Sequence, residues 1–373
     1  MINIIDTRIT NLRQSITESQ LDALLILIDE NRRYLSGYTG EDTGYDESAG
    51  ALLITPDELF LLTDSRFTLQ AQMECPNYQV ITYKKGLAKE LTGLLAGLET
   101  NRPLRFGYEK RKMSCEQFET LQTEISSAGL STELVGTVNL VEKFRIIKTG
   151  PEIDAMKSAL AIAEKALLSV MEILEPGMRE KELAWALEKQ MREAGADAVS
   201  FSTIVAGGPN AALPHAIPGP MAIKPDQPVL FDWGARLNGY CSDTSRTLFT
   251  GKPDSQFKKI FNAVYDAQQR AIEAVRPGAY SCDIDAAARD VLKDKGLDTF
   301  FGHGLGHGIG LAVHEQPSIS PVKERNTRLE ENMVFTIEPG VYIPDWGGVR
   351  LENMVVVRQN GPEVLNTLKV ALG

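Results

Sequence analysis

The stretch Phe301-Gly-His-Gly-Leu-Gly-His-Gly-Ile-Gly-Leu-Ala-Val-His-Glu315 places glycine at every even position from Gly302 to Gly310. It also holds three of the chain's four histidines, His303, His307 and His314. Glycine at this density lets a backbone approach a neighbour closely or adopt angles closed to other residues. A single histidine here would suit a Gly-rich surface loop. Three of them, with only His215 elsewhere in 373 residues, point to a site. A phosphate cradle fits poorly, because neither GxGxxG spacing nor a following Gly-Lys-Ser/Thr is present. Zincin chemistry is excluded by the lack of HExxH.

Outward from this stretch lie two pairs of carboxylates. Val229-Leu-Phe-Asp232-Trp-Gly leads to Asn238-Gly239-Tyr-Cys-Ser-Asp243, an apolar strand, an Asn-Gly turn signal and a returning strand. With Asn238-Gly239 as the two-residue loop, Asp232 faces Ser245 and lies diagonal to Asp243. With the loop one residue earlier, the two aspartates are directly opposed. Both registers put them on one sheet face, and the apolar residues before Asp232 predict burial. Buried like charges are unfavourable unless a cation lies between them or one takes a proton. On the other side, Met333 to Ile337 predicts a strand ending at Glu338-Pro339-Gly340. Gly348 to Val357 predicts another, with Arg350 and Glu352 on one face. Glu352, beside Leu351 and ahead of Val355 to Val357, needs a partner, and Arg350 is one candidate. Four carboxylates and an imidazole make an oxygen-rich ligand set that favours Mn²⁺, Co²⁺, Fe²⁺ or Zn²⁺ over a Cys-type structural zinc. Two such ions about 3.5–4 Å apart sharing a water suit hydrolysis.

The first 140 residues hold no histidine and alternate short apolar runs with helical patterns, which predicts an α/β layer. Strands are expected over 21–28, 51–54, 59–62, 79–83 and 104–108, and helices near 66–73, 87–98 and 115–127. Thr149-Gly150-Pro151-Glu152 is a helix start, with further helices near 180–193, 255–275 and 282–294. The domain boundary is expected just before this helical entry, giving 1–140 and 141–373. Lys plus Arg number 39 and Asp plus Glu 50, so the net charge of −11 argues against a nucleic-acid partner. No apolar run nears the roughly 18 residues of a membrane span, and Met1 to Arg8 has no secretory pattern. Cys75, Cys115, Cys241 and Cys282 lie far apart and read as reduced thiols, which leads us to expect a cytoplasmic protein.

Taken together, these motifs closely resemble the metallopeptidase family that includes Xaa-Pro dipeptidase (prolidase), aminopeptidase P and, more distantly, methionine aminopeptidase. The resemblance covers nearly the whole chain. Asn31-Arg-Arg-Tyr-Leu-Ser-Gly-Tyr38 and Leu62-Thr-Asp-Ser-Arg66 are similar to the creatinase/prolidase N-terminal domain. Lys143-Phe-Arg-Ile-Ile-Lys148 through Glu152-Ile-Asp154 is similar to the family's entry into its catalytic domain. The implied fold is a small creatinase-like α/β domain followed by a pita-bread α+β catalytic domain.

The resemblance also implies a ligand set for two divalent metal ions, Mn²⁺ foremost, with Co²⁺ or Zn²⁺ as alternatives. Asp232 and Asp243 match the family's aspartates, His307 the histidine of GHGIG, Glu338 the glutamate of IEPG, and Glu352 that of Arg-Ile-Glu-Asp. Asp243 and Glu352 would bridge the ions, Asp232 serve one, and His307 with Glu338 the other. His215 corresponds to a substrate-contacting histidine and His314 to one that stabilises the tetrahedral intermediate or shuttles a proton. His303 corresponds to a residue lining the proline-side pocket. Glu338 would also act as acid and base. Arg350 stands where proline-specific members carry arginine, its fork suited to a substrate carboxylate or a neighbouring acid. The implied activity is hydrolysis of the bond between an N-terminal residue and proline in small peptides, by a homodimer.

Asn353 and Ser245 depart from a usual aspartate and threonine, and tuning rather than loss of activity is expected. Glu41 to Ser48 extends a segment that is a short turn in many relatives, which bears on substrate length. Leu305-Gly306-His307 and His314-Glu315 look like the prolidase side of the family, or like short bacterial Xaa-Pro peptidases, rather than typical aminopeptidase P. Creatinase-type C–N hydrolysis without metal and a non-catalytic binding module are the rivals. Both branches have usually lost ligands, and here all five positions are filled.

Overall fold

In the computed structural model, residues 4–42, 44, 47–98 and 101–369 are described, and the chain divides into two units, Met1–Arg145 and Ile146–Gly373. The first unit carries a six-stranded sheet in the order β4-β3-β2-β1-β5-β6. Its strands are β1 (Ala23–Ile26), β2 (Ala51–Ile54), β3 (Leu59–Thr63), β4 (Gln79–Thr82), β5 (Leu104–Glu109) and β6 (Thr132–Thr137). β2 is antiparallel to both neighbours, and the pairings β3–β4, β1–β5 and β5–β6 are parallel. Helices α1 (Ile4–Glu18), α2 (Asp29–Ser36), α3 (Thr68–Glu74), α4 (Leu87–Leu95), α5 (Cys115–Ser127) and α6 (Glu142–Arg145) complete it. Leu91 and Leu95 of α4 and Leu121 and Ile125 of α5 pack on Leu25, Leu53 and Phe106 of the sheet. α5 opens with a capping box, Ser114 Oγ accepting from Gln117 N while Gln117 accepts from Ser114 N, which satisfies two orphan donors at once.

The expected α/β first part is present, with three elements that the apolar pattern did not disclose: α1, α2 and β6. α2 reads Asp-Glu-Asn-Arg-Arg-Tyr-Leu-Ser, and its buried face includes Asn31 and Arg32 rather than an apolar stripe. α6 belongs to the first unit, where Arg145 Nη1 donates to Asn31 Oδ1 at 2.7 Å, so the division falls five residues beyond the expected one. Of the Glu41 to Ser48 extension, Thr43, Tyr45 and Asp46 lie outside the described residues.

The second unit begins with α7 (Gly150–Met171), whose Thr149–Glu152 capping box and early Pro151 stop it from starting elsewhere. It continues through α8 (Glu180–Glu193), β7 (Ala198–Val199), β8 (Ile204–Gly207) and β9 (Pro228–Trp233). β10 (Ala235–Leu237), β11 (Tyr240–Cys241) and β12 (Thr244–Phe249) follow, then α9 (Ser255–Ala274) and α10 (Ser281–Asp294). The final strands are β13 (Gly306–Gly308), β14 (Glu315–Ile319), β15 (Val334–Ile337), β16 (Gly340–Ile343), β17 (Gly347–Arg350), β18 (Asn353–Arg358) and β19 (Gly361–Val364).

Two helix pairs cover the sheets. Leu167 of α7 and Leu183, Leu187 and Met191 of α8 bury against Phe231 and Trp233. Phe257, Phe261 and Ile284 of α9 and α10 bury against Phe335, Val355 and Val357. Each large apolar side chain so buried contributes about 1.5–3 kcal/mol. Trp233 also needs a partner for its indole, and Nε1 donates to Ala163 O at 2.7 Å.

The β9–β12 hairpin adopts the first of the two registers. Leu237 pairs with Tyr240 and Asp232 with Ser245, and Asn238 and Gly239 take φ of 52° and 82°, the positive pair a two-residue loop requires. The single strand expected over Gly348 to Val357 is not formed. β17 pairs with β16 while β18 pairs with β15, and the chain breaks at Leu351-Glu352 to change partners. Arg350 and Glu352 therefore do not share a face of one strand.

Candidate active site

Five side chains from strands and the segments that flank them converge. Asp232 sits near the end of β9, Asp243 just ahead of β12, His307 in the middle of β13, Glu338 directly after β15, and Glu352 in the break between β17 and β18. Backbone bonds lock the three later segments: Glu338 N donates to Leu305 O (2.8 Å), Glu352 N to Ser245 O (3.1 Å) and His307 N to Thr336 Oγ1 (3.1 Å). The alternating glycines serve close approach rather than unusual angles. A Cβ on Gly306 would lie 2.0 Å from Thr336 O, and one on Gly308 2.1 Å from Gln316 O. Neighbouring strands can reach His307 from both sides only because these residues have no side chain.

The five residues face a cleft of about 850 Å³. One ligand atom each from Asp243, His307 and Glu352 lie within 4.8 Å of one another. His307 Nε2 is 3.6 Å from Asp243 Oδ2 and 3.5 Å from Glu338 Oε1, too far for good hydrogen bonds and close enough for co-ligands of one ion. Asp232 Oδ2 accepts from Arg350 Nη2 at 2.5 Å, and Glu352 Oε2 from Ser245 Oγ at 2.8 Å. The other oxygens, Asp232 Oδ1 and Glu352 Oε1, are buried and accept nothing. An unsatisfied buried acceptor costs about 1–3 kcal/mol, more when charged. A divalent cation answers both defects, since it takes lone pairs and cancels charge, and the residues present fit one.

The electrostatics agree. Burial, followed by the charge of Glu352, Asp232 and Glu338, holds the Asp243 carboxyl well above the usual range. Burial and then the charges of Glu338 and Asp232 do the same to Glu352. Burial pushes Glu338 up to about 8. His307 is pushed down to about 4 by burial and by His314, whose ring centroid is 4.3 Å away, and so presents the neutral imidazole a metal requires. Without a cation this cluster keeps protons; with one, the carboxylates can all ionise.

His215, His303 and His314 line the same cleft. His303 Nδ1 bonds Gly304 O at 2.7 Å and Nε2 meets Tyr342 Oη at 2.9 Å. Arg350, 2% exposed, spends its donors on the protein: Asp232, Ser245 Oγ (3.0 Å), Tyr342 Oη (2.8 Å) and Pro214 O (3.1 Å). Its fork is turned to the neighbouring acid, not to Glu352. Three lining or supporting residues had no signal in the sequence: Tyr342 within an apolar strand, Arg289 on α10 and Arg325 at the end of a short 3-10 turn, positions where charge is ordinary.

The model for metallopeptidase family M24 matches residues 154–359, and that for the creatinase/prolidase N-terminal domain residues 8–147. The chain is 33% identical to the Xaa-Pro dipeptidase of Pyrococcus horikoshii over 98% of each. The structure of a Xaa-Pro dipeptidase from Bacillus anthracis superposes with TM-score 0.90 at 34% identity over 99% of each chain. That of an X-Pro aminopeptidase from Thermotoga maritima does so with TM-score 0.84 at 34% identity, over 96% of this chain and 99% of that one.

Proposed function

The chain belongs to metallopeptidase family M24, with a creatinase/prolidase N-terminal domain ahead of the catalytic domain, and from that premise we propose that it removes an N-terminal residue that precedes proline. The observation that carries the proposal is the convergence of four carboxylates and a neutral imidazole, two of whose buried oxygens have no donor. Asp232, Asp243, His307, Glu338 and Glu352 would hold two divalent ions, Mn²⁺ first among them. When bound, such ions supply a nucleophile at neutral pH and an electrophile for the scissile carbonyl.

The chain's own residues do the rest. Glu338, ionised once a cation is bound, is suited to accept a proton on nucleophile formation and to return it to the departing prolyl nitrogen. His314 donates toward the oxygen of the tetrahedral intermediate. His215 and His303 position the proline side, and Arg350 holds Asp232 in orientation while Tyr342 holds Arg350. Arg325, exposed on the cleft wall, makes no ion pair or side-chain hydrogen bond among the described residues, and a dipeptide's free carboxylate would find it there. This favours dipeptides over longer peptides. The homodimer rests on family resemblance. Among the described residues no helix is long and apolar enough to cross a membrane, and all four cysteines are free, which supports a reducing compartment.

The test is product release by metal-stripped protein resupplied with Mn²⁺, Co²⁺ or Zn²⁺, using a matched Xaa-Pro dipeptide, a Xaa-Pro-Yaa tripeptide and Xaa-Ala controls. Metal-dependent cleavage of the dipeptide alone is expected. Equal cleavage of the alanine peptides would remove the proline specificity, and preference for the tripeptide would remove the dipeptidase reading.

A further inference from the structure

The segment Phe301 to Leu305 bears His303 but lies outside any strand, between the short turn after α10 and β13. Such a segment with glycine at 302 and 304 loses much backbone entropy on ordering. What holds it comes from one turn of α10. Asp285, wholly buried, accepts Leu305 N at 3.0 Å and takes Arg289 in a two-pronged ion pair, Nε–Oδ2 2.6 Å and Nη2–Oδ1 3.1 Å. Arg289 Nη1 donates to Phe301 O at 3.1 Å and Nη2 donates to His303 O. Its guanidinium also lies 4.3 Å over the Phe301 ring, which in turn stands edge-on to the His303 imidazole. One i,i+4 pair thus grips residues 301, 303 and 305 in succession, and Arg289 itself lines the cleft.

We propose that Asp285 and Arg289 are positioning residues that preset the His303 imidazole for the substrate's proline side. The inference rests on the proposed Xaa-Pro activity for its substrate and on geometry alone for the clamp. The planar fork is what the job needs: five fixed N–H groups can reach a carboxylate and two carbonyls at once, and an ammonium cannot. The ring state follows from the same contacts. Gly304 O can only accept, so His303 Nδ1 carries the hydrogen. Arg350 donates to Tyr342 Oη, which leaves the phenol hydrogen for His303 Nε2. His303 is therefore held as the Nδ1–H tautomer.

The experiment compares wild type with Arg289→Gln, Arg289→Lys and Arg289→Ala in the Zn²⁺-loaded full chain. With only four histidines, ¹⁵N-histidine spectra resolve each ring. Wild type should show one Nδ1–H tautomer at His303, and Arg289→Gln a mixture with Nε2–H. Amide exchange at Leu305 should accelerate at least about tenfold in Arg289→Gln, as expected when charge-assisted bonds of this kind are lost. KM for the Xaa-Pro dipeptide should rise about tenfold with kcat within about threefold and metal content unchanged, because ground state and transition state lose the same contact. Arg289→Lys should fail to restore KM, whereas methylguanidinium added to Arg289→Ala should restore part of it. A wild-type tautomer and wild-type exchange in Arg289→Gln would overturn the clamp. So would altered exchange with an unchanged KM, since the loop would then be ordered without serving substrate. If wild type itself leaves Xaa-Pro peptides intact, the activity reading falls instead, and the ring spectra and exchange still decide the clamp.

Discussion

Glu109, at the carboxyl end of β5, and Glu352, in the break between β17 and β18, are both buried glutamates, 5% and 1% exposed, and their surroundings are opposite. Glu109 accepts Leu27 N (2.6 Å), Ile28 N (2.7 Å) and Asn31 Nδ2 (2.5 Å), so its oxygens are satisfied by protein donors. Glu352 has one hydroxyl donor, one orphaned oxygen and the charges of Asp243, Asp232 and Glu338 nearby. Burial raises both pKa values, to about 7 for Glu109 and well above the usual range for Glu352. A buried carboxylate alone therefore does not mark a site. A buried carboxylate with an oxygen that has no donor, crowded by others, does, because only a cation or a proton can settle it.

The largest difference should lie in activity. Asp243→Asn or Glu352→Gln should lower kcat/KM by about 10³-fold or more, roughly 4 kcal/mol of transition-state stabilisation, and reduce bound metal. Glu109→Gln should leave kcat/KM within about threefold. Comparable losses in all three would dissolve the distinction. Next comes stability without metal, where the two should differ in sign. Glu109→Ala strands three donors and should cost about 2–3 kcal/mol by denaturant titration. Glu352→Gln relieves like-charge crowding and should leave stability equal or higher.

The pH dependence sharpens the same point. In metal-free protein Glu338 has a pKa raised from 4.5 to about 8, so the folded state binds more protons than the unfolded state across that window. Its contribution is fully present below about pH 4.5 and is lost as pH rises toward 8. The metal-free Tm should fall over this range. Metal competes with those protons, so the Tm gained on adding Mn²⁺ should grow with pH. A metal-induced shift that shrinks as pH rises would contradict the ligand assignment.

The two smallest effects come from the departures at Ser245 and Asn353. Ser245 Oγ donates to Glu352 and accepts from Arg350, so Ser245→Ala should weaken metal affinity about tenfold. Asn353 Oδ1 accepts from Arg246 Nη2 at 3.0 Å, and Asn353→Asp should change kcat/KM by less than about threefold. Turnover and calorimetric metal titration check both.

Legibility followed the physical signal. α5 and α8 begin and end where their sequence patterns do, because caps and apolar spacing act locally. The Asp232–Ser245 register was one of two, decided in the structure by positive φ at Asn238 and Gly239. The break at Leu351-Glu352 was illegible, since no glycine, proline or turn signal stands between Val349 and Val357 and only the choice of neighbours, β15 or β16, divides the stretch. Arg350 stood out as a cation among apolar residues, but its turn toward Asp232 required three dimensions. Asp285 and Arg289 read as an ordinary i,i+4 pair on a helix, and only the path of residues 301–305 gives them a role.

The most direct measurement is turnover of a Xaa-Pro dipeptide during stepwise addition of Mn²⁺ to metal-stripped protein, with bound metal counted at each step. The site described here predicts no turnover at zero metal, activity that saturates near two equivalents, and no such titration in Glu352→Gln. Full turnover in the metal-free protein, or saturation with metal bound equally well by Glu352→Gln, would contradict it.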